Sequence, residues 1–275
     1  MNREVAIVGS GAFVPGYAGL TGWVAGEPSP DHEKAKADLV PARQRRRASL
    51  LSKSFAEAFA ETLETSALDA SEVASVFGSA LGEAATMISL LDQMWSETAM
   101  LSPMKFATSV HNAASGLISI ATENRGFTTS LGADFDTPAM SLAEGIGLVL
   151  GEDRPVIVCC GDEAPPEELV PAGKGWSLMT AAIALAPVEQ APADAPRLSG
   201  MSVAQSDHGG QAARGEGSAG TVLTPGEMDA ALGRNPNVGL LDLVTAVRRG
   251  VPGVVALDRG EGRGFVIRLE TGRNA

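Results

Sequence analysis

The chain has 275 residues, 33 of them acidic and 21 basic, giving a formal net charge of -12. With 44% apolar residues it can bury the core of a large α/β domain, which excludes general disorder. Its acidity argues against nucleic acid as a partner, because that affinity rests on Lys and Arg neutralising phosphates.

In chain order, Val5 to Val8 reads as a short buried strand ending in Gly9-Ser10-Gly11. That apolar patch is too short for a signal-peptide core, and no run approaches the roughly 20 apolar residues of a membrane span, so a cytoplasmic protein is expected. Residues 12 to 40 are rich in Gly and Pro and are expected to form a loop, with no helix before Pro41. Arg43 to Thr65 is predicted as one amphipathic helix, with Leu51, Phe55, Phe59 and Leu63 at every fourth position. Val73 to Ala80 reads as a strand, Glu83 to Trp95 as a helix and Phe106 to Val110 as a strand. Ala113 to Asn124 then reads as a helix with Leu117, Ile120 and Ala121 inward.

Thr128 to Ala133 is predicted as a strand, Pro138 to Leu148 as a helix, and ValIleValCysCys and Ser177 to Ala186 as buried strands. The alternation implies parallel pairing in one sheet. Residues 187 to 220 read as a mobile Pro/Gly-rich connection, before a helix at Leu240 to Val247 and a last strand at Gly264 to Leu269.

Several chemistries fail on spacing. The dinucleotide fingerprint wants a glycine where Val14 stands, and no serine has the GlyXaaSerXaaGly setting of a hydrolase nucleophile. His32, His111 and His208 have no metal-ligand spacing, and adjacent Cys159 and Cys160 suit neither zinc nor a long-loop disulfide, which fits a reducing compartment. Asp207-His208-Gly209-Gly210 only faintly echoes a catalytic histidine loop.

Leu101 to Ala121, LeuSerProMetLysPheAlaThrSerValHisAsnAlaAlaSerGlyLeuIleSerIleAla, differs from the rest. A strand is expected to pass through a turn of small residues into a helix, a geometry that lifts a nucleophile to a helix N-terminus. This stretch resembles the elbow of the β-ketoacyl synthase superfamily of thiolase fold, which reads ThrAlaCysXaaSerGly and whose Cys takes the acyl chain. Aligned on Ser115 and Gly116, the Cys position holds Ala113. More narrowly, SerValHisAsnAla, the preceding LeuSerPro and the later GlyAspGluAlaProPro resemble short ketoacyl-synthase-like proteins found beside ketosynthases in aryl polyene and related pigment pathways.

The resemblance implies one thiolase-like, layered α/β domain over 1–275, truncated relative to a full ketosynthase, with no cofactor and no metal. It implies a catalytically inactive subunit that forms a heterodimer with a full-length ketosynthase and shapes its acyl tunnel as a chain-length factor. The elbow candidates are Ser109, His111, Asn112, Ala113, Ser115 and Gly116. The tunnel or interface candidates are Met87, Met94, Met100 and Phe106, residues whose apolar character equally suits a core, and the contact is expected to use Phe106 to Val110 and Glu83 to Trp95.

Seven of the 21 basic residues fall between positions 34 and 53. Of these, Arg43, Arg45, Arg46 and Arg47 are candidates for docking an acyl carrier protein, or form a solvated helix face. Two other functions stay open: an enzyme using His111 and Asn112 on an acyl thioester, and a carrier-protein docking module.

Overall fold

The computed structural model describes residues 4–96, 100–203, 230–259 and 261–272. The first strand, β1 (Val5–Phe13), runs straight through the glycine turn expected to end it. Gly9 and Gly11 serve close packing: a Cβ at Gly9 would lie 2.6 Å from Ser66 Cβ, and one at Gly11 2.6 Å from the Ala58 carbonyl oxygen. Helix α3 (Leu50–Ser66) therefore lies directly on the strand. It also completes the strand's hydrogen bonding, since Ser10 N–H donates to Thr65 Oγ1 and Ala12 N–H to Glu61 Oε2.

Residues 12 to 40 are not the helix-free loop expected. Helix α1 (Gly19–Ala25) buries Leu20 and Trp23, its Leu20 N–H donates to the Glu61 carboxylate, and Trp23 Nε1 donates to Thr245 Oγ1 at 3.1 Å. Its short glycine-containing sequence shows no helical period, so only these tertiary bonds reveal it. The predicted Arg43 to Thr65 helix is two helices, α2 (Ala42–Arg45) and α3, because the Ser49 hydroxyl accepts the Ser52 N–H and caps a new start.

The chain continues through β2 (Ala74–Gly78), α4 (Ala84–Trp95), α5 (Pro103–Ala107) and α6 (Ala113–Ala121). The expected strand at Phe106 to Val110 is thus the end of a helix and a turn: Ser102 caps α5 by accepting the Lys105 N–H, with Pro103 in its first turn. On α6 the buried residues are Ala114, Ser115 and Ile118, and Leu117 and Ala121 pack partly buried against the same core as expected, whereas Ile120 faces out because the helix is apolar on both sides. Next come β3 (Thr128–Leu131), α7 (Thr137–Glu152), β4 (Val156–Asp162), β5 (Met179–Ala186) and β6 (Arg197–Val203). The last elements are α8 (Ala230–Gly233), α9 (Val238–Arg249), β7 (Gly253–Ala256) and β8 (Phe265–Glu270).

Strand β6 occupies part of the stretch expected to be a mobile connection, pairing with β1 and β8. His208 lies outside the described residues.

The eight strands form one sheet in the order β3-β2-β4-β5-β1-β6-β8-β7. It is mixed rather than parallel. Only β2 pairs in parallel, with β3 and β4, while β5 runs antiparallel to both β4 and β1. The β4–β5 connection carries no crossover helix and β5 reverses direction beside β4, while β5 and β6 flank β1, both antiparallel to it.

The period of two in β4 divides the core. Val156, Val158 and Cys160 face α7 and α9, whereas Ile157 and Cys159 face α3 and α6 with Phe55, Phe59 and Phe77. The two cysteines therefore sit back to back across the sheet as free, buried thiols. Helix α9 is buried from Val238 to Ala246.

Candidate functional site

Three chain segments converge beside the carboxyl ends of β2 and β4: the loop Ser79–Glu83, the elbow from Thr108 to Gly116, and the pair Asp162-Glu163. Buried Asp162 organises them. Its carboxylate accepts Ser79 Oγ at 2.7 Å, Ala80 N–H at 2.7 Å, Leu81 N–H at 3.0 Å and Asn237 Nδ2 at 2.5 Å. Asn235 Nδ2, just before α9, donates to the Asp162 and Ser177 carbonyls. Four donors do not fully offset the loss of water, so burial leaves the Asp162 carboxyl above its ordinary range.

The elbow rests on this loop through His111, whose Nε2 lies 2.8 Å from the Ser79 carbonyl oxygen. A carbonyl only accepts, so Nε2 carries a proton and donates it to this contact. Gly82 makes room for the ring. Its φ is +59°, and a Cβ there would stand 2.8 Å from His111 Cδ2. A small cavity between the segments is lined by Leu51, Phe55, Phe77, Glu83, His111 and Ala114, among others.

The elbow candidates separate by position. Ser109 Oγ donates to the Phe106 carbonyl within its own turn, and Asn112 is exposed. Ser115 is buried, donates to the Asn112 carbonyl at 3.0 Å and shares a 2.9 Å hydrogen bond with Ser130 of β3, tying α6 to the sheet edge. Gly116 faces open space. Ala113, the first residue of α6, presents a methyl group, which has no lone pair with which to attack an acyl carbon.

The residues whose apolar character suited a core are on the surface. Met87 is partly exposed, and Met94, Trp95, Met100, Met104 and Phe106 stand out from α4, α5 and the segment joining them; Trp95 is 87% exposed, Met100 93% and Phe106 67%. Ile120 and Phe127 continue the apolar exposure toward β3, an edge strand paired only with β2 among the described residues.

On α2 and just beyond it, Arg45 pairs with Asp38, while Arg43, Arg46 and Arg47 are exposed and make no ion pair among the described residues. Among the described residues no group of His, Cys, Asp and Glu could hold a metal, and no helix is long and apolar enough to cross a membrane.

The sequence patterns did not reveal Glu83, Asp162, Glu163, Asn235 and Asn237 as a group. For the acids the only signal is their place at or shortly after the ends of buried strands, in GlySerAlaLeuGlyGlu and CysCysGlyAspGlu. Burial raises the carboxyls of Glu83 and Glu163, with Glu163 pushed up to about 7 by desolvation and by the neighbouring Glu83.

No curated protein matches the sequence significantly. A chain of the ketosynthase (ApeO) in complex with its chain length factor (ApeC) from Xenorhabdus doucetiae superposes with a TM-score of 0.67 at 18% identity. That match covers 97% of this chain and 98% of the other. The ishigamide ketosynthase/chain length factor gives 0.63 at 16% identity, over 96% of this chain and 98% of that one. A beta-ketoacyl synthase from Burkholderia phymatum STM815 gives 0.55 at 12% identity, over 73% of this chain and 64% of its own. The layered α/β architecture is therefore the thiolase-like fold of ketosynthases. The family model for the beta-ketoacyl synthase N-terminal domain matches residues 21–224, and the chain belongs to that family.

Proposed function

We propose that this chain is a non-catalytic, chain-length-factor-like subunit that pairs with a full-length ketosynthase in polyene or polyketide synthesis. The observation that carries this reading is the exposed apolar surface of α4 and α5 beside an elbow whose nucleophile position is Ala113. A monomer seldom leaves so many bulky apolar side chains in water, and such patches mark contact surfaces. The free edge of β3 next to Ile120 and Phe127 adds unpaired backbone groups that a partner's strand can meet.

The solved structures support the same reading, since the chain aligns over 97% and 96% of its residues with a chain in each of two ketosynthase and chain length factor structures. In this role the partner supplies the condensing cysteine, and the present subunit closes the far end of its acyl tunnel. The exposed Arg43, Arg46 and Arg47 offer a docking surface for an acidic acyl carrier protein.

Co-expression with a full-length ketosynthase encoded beside it tests the proposal. A 1:1 complex burying well over roughly 1,000 Å² is expected, and the isolated chain should gain no mass from an acyl-loaded carrier protein. Separate species at micromolar concentration, or an acyl adduct on the elbow, would count against it. Turnover of an acyl thioester by the isolated chain, abolished by His111→Ala, would favour the enzyme reading instead.

A further inference from the structure

Nine of the sixteen large apolar side chains exposed among the described residues lie between positions 87 and 110. They belong to two helices that the rest of the chain holds only in part. Helix α4 buries Ala84 and Leu90, and beyond Leu90 none of its residues is buried. In α5 all five residues are exposed. By contrast, α3 buries eight of its 17 residues and α9 nine of its 12.

Local bonds do not make up for the missing burial. The Ser102 hydroxyl caps α5 by accepting the Lys105 N–H at 3.3 Å, and the Thr108 and Ser109 hydroxyls donate to carbonyls three or four residues back. Between the two helices runs an exposed hydrogen bond of 3.4 Å from Lys105 Nζ to Ser89 Oγ. Helices shorter than about 12–15 residues are marginal in water unless an apolar face is packed, so a five-residue helix with no buried side chain does not hold itself. The apolar faces are in place, and the surface they need lies outside this chain.

We propose that α5 and the part of α4 beyond Leu90 are only fractionally formed in the isolated chain and become ordered against the apolar face of a ketosynthase, so that helix formation and docking are one coupled step. The identity of this occupant rests on the docking reading above. Residues 84 to 110 carry no charges other than Asp92, Glu97 and Lys105 and hold four of the chain's nine methionines, with Trp95 and Phe106. Depletion of charge with enrichment in Met and aromatic residues is the composition of an interface centre between proteins. Helices that lie on membranes instead carry many Lys and Arg, and an anionic bilayer repels a chain of net charge -12. A second copy would bring the same charge of -12 to the contact. When the helices form as they bind, the apparent affinity falls in proportion to the fraction already formed. Favouring the helix in the free chain therefore tightens the complex without adding a contact.

Amide exchange read residue by residue in the full chain, alone and with the full-length ketosynthase encoded beside it, tests the coupling. Alone, the amides of α5 and of α4 beyond Leu90 should exchange within about tenfold of the unstructured rate, while buried amides of α3 and α9 are slower by about a thousandfold or more. In the complex the first set should slow by about a hundredfold or more. Ser102→Ala, which removes the cap, should weaken the complex about threefold or more, and Ser102→Asn, which still presents an accepting side chain, should keep the wild-type affinity. Amides of α5 as slow as those of α3 in the free chain, or equal affinity for Ser102→Ala and wild type, would overturn the proposal. So would exchange in α5 that stays fast in a complex that does form. Exchange that slows as the free chain is concentrated would assign the surface to a second copy and overturn the ketosynthase as its occupant. Fast exchange in the free chain with no complex at any concentration would sink the docking reading itself, whereas slow exchange in a free chain that still docks would sink the coupling alone.

Discussion

Asp162 and Asn237 meet in the interior, with Asn237 Nδ2 donating to Asp162 Oδ2 at 2.5 Å, and this contact joins the end of β4 to the start of α9. The same carboxylate holds the Ser79–Leu81 loop that supports the elbow. Asp162→Ala would strand the Ser79 hydroxyl, two backbone N–H groups and the Asn237 amide in a dry site. The expected cost is about 3–5 kcal/mol, because the groups left behind are buried donors without acceptors. At about 2–4 °C per kcal/mol for a chain of this size, the melting temperature should fall by about 10 °C. A melt within a few degrees of wild type would show that the loop does not depend on this residue.

Stability should also depend on pH in an unusual direction. Burial raises the carboxyls of Glu61, Glu83, Asp162, Glu163 and Asp242 above their ordinary values. A group whose folded value is raised binds its proton more tightly in the native state. Its contribution is full below the unfolded value and is lost as pH rises through the folded one. For Glu163 that window runs from 4.5 to about 7. Acidification also reduces the self-repulsion of a chain carrying a net charge of -12. The melting temperature should therefore be higher near about pH 5.5 than near about pH 8, by about 3 °C or more, and Glu163→Gln should flatten part of the slope. A melt that rises from acid to alkaline pH would contradict this.

How much of this was legible in the sequence follows from which residues carry the signal. Strands β4 and β5 are nearly continuous apolar runs, and the Leu51, Phe55, Phe59 stripe of α3 packs as its period implies. Of the elbow only the helix that follows it was legible: α6 starts at Ala113 as expected, whereas the strand expected before it is the end of α5 and a turn. Helix α1 was not, because its stability lies in Glu61 and Thr245, residues far along the chain. The capped start of α5 was overlooked in favour of the β propensity of Phe106 and Val110, and the buried acids depend on spatial rather than sequential neighbours. The methionines were ambiguous for another reason: apolar character suits a core and a contact surface equally, and only exposure separates them.

The basic surface should act through charge. Reversing Arg43, Arg46 and Arg47 to Glu together should leave the fold intact, since none makes an ion pair among the described residues. It should weaken capture of an acidic carrier protein about tenfold or more at low salt, with the difference shrinking as salt screens the field. Binding that is unchanged at low salt would mark these arginines as a solvated face.

The contact surface should be separable from stability. Trp95→Asp and Phe106→Asp alter side chains that already stand in water, so melting temperatures should move little. Each should nevertheless weaken the complex with a ketosynthase by about 2 kcal/mol or more, as expected for large aromatic anchors. Gel filtration of the co-expressed pair reads the outcome directly. Variants that keep full complex would place the interface elsewhere.

The finest claim concerns chain length. Met94, Met100 and Phe106 are exposed on the elements just before the elbow, where a partner's acyl pocket would be met. An apolar wall sorts acyl chains because each buried methylene contributes about 0.8 kcal/mol until there is no room for it. Truncating such a wall should therefore admit a longer chain rather than stop synthesis. Met94→Ala, Met100→Ala and Phe106→Ala, tested one at a time in the reconstituted complex, should shift products toward greater length while the complex still forms. Their exposure in the isolated subunit makes the test clean, since none leaves a cavity in this chain's own core. Mass spectrometry of the carrier-bound products reads the length. Unchanged products in all three variants, with complex and rate intact, would put the wall of the tunnel on other residues and leave these three as contact surface alone.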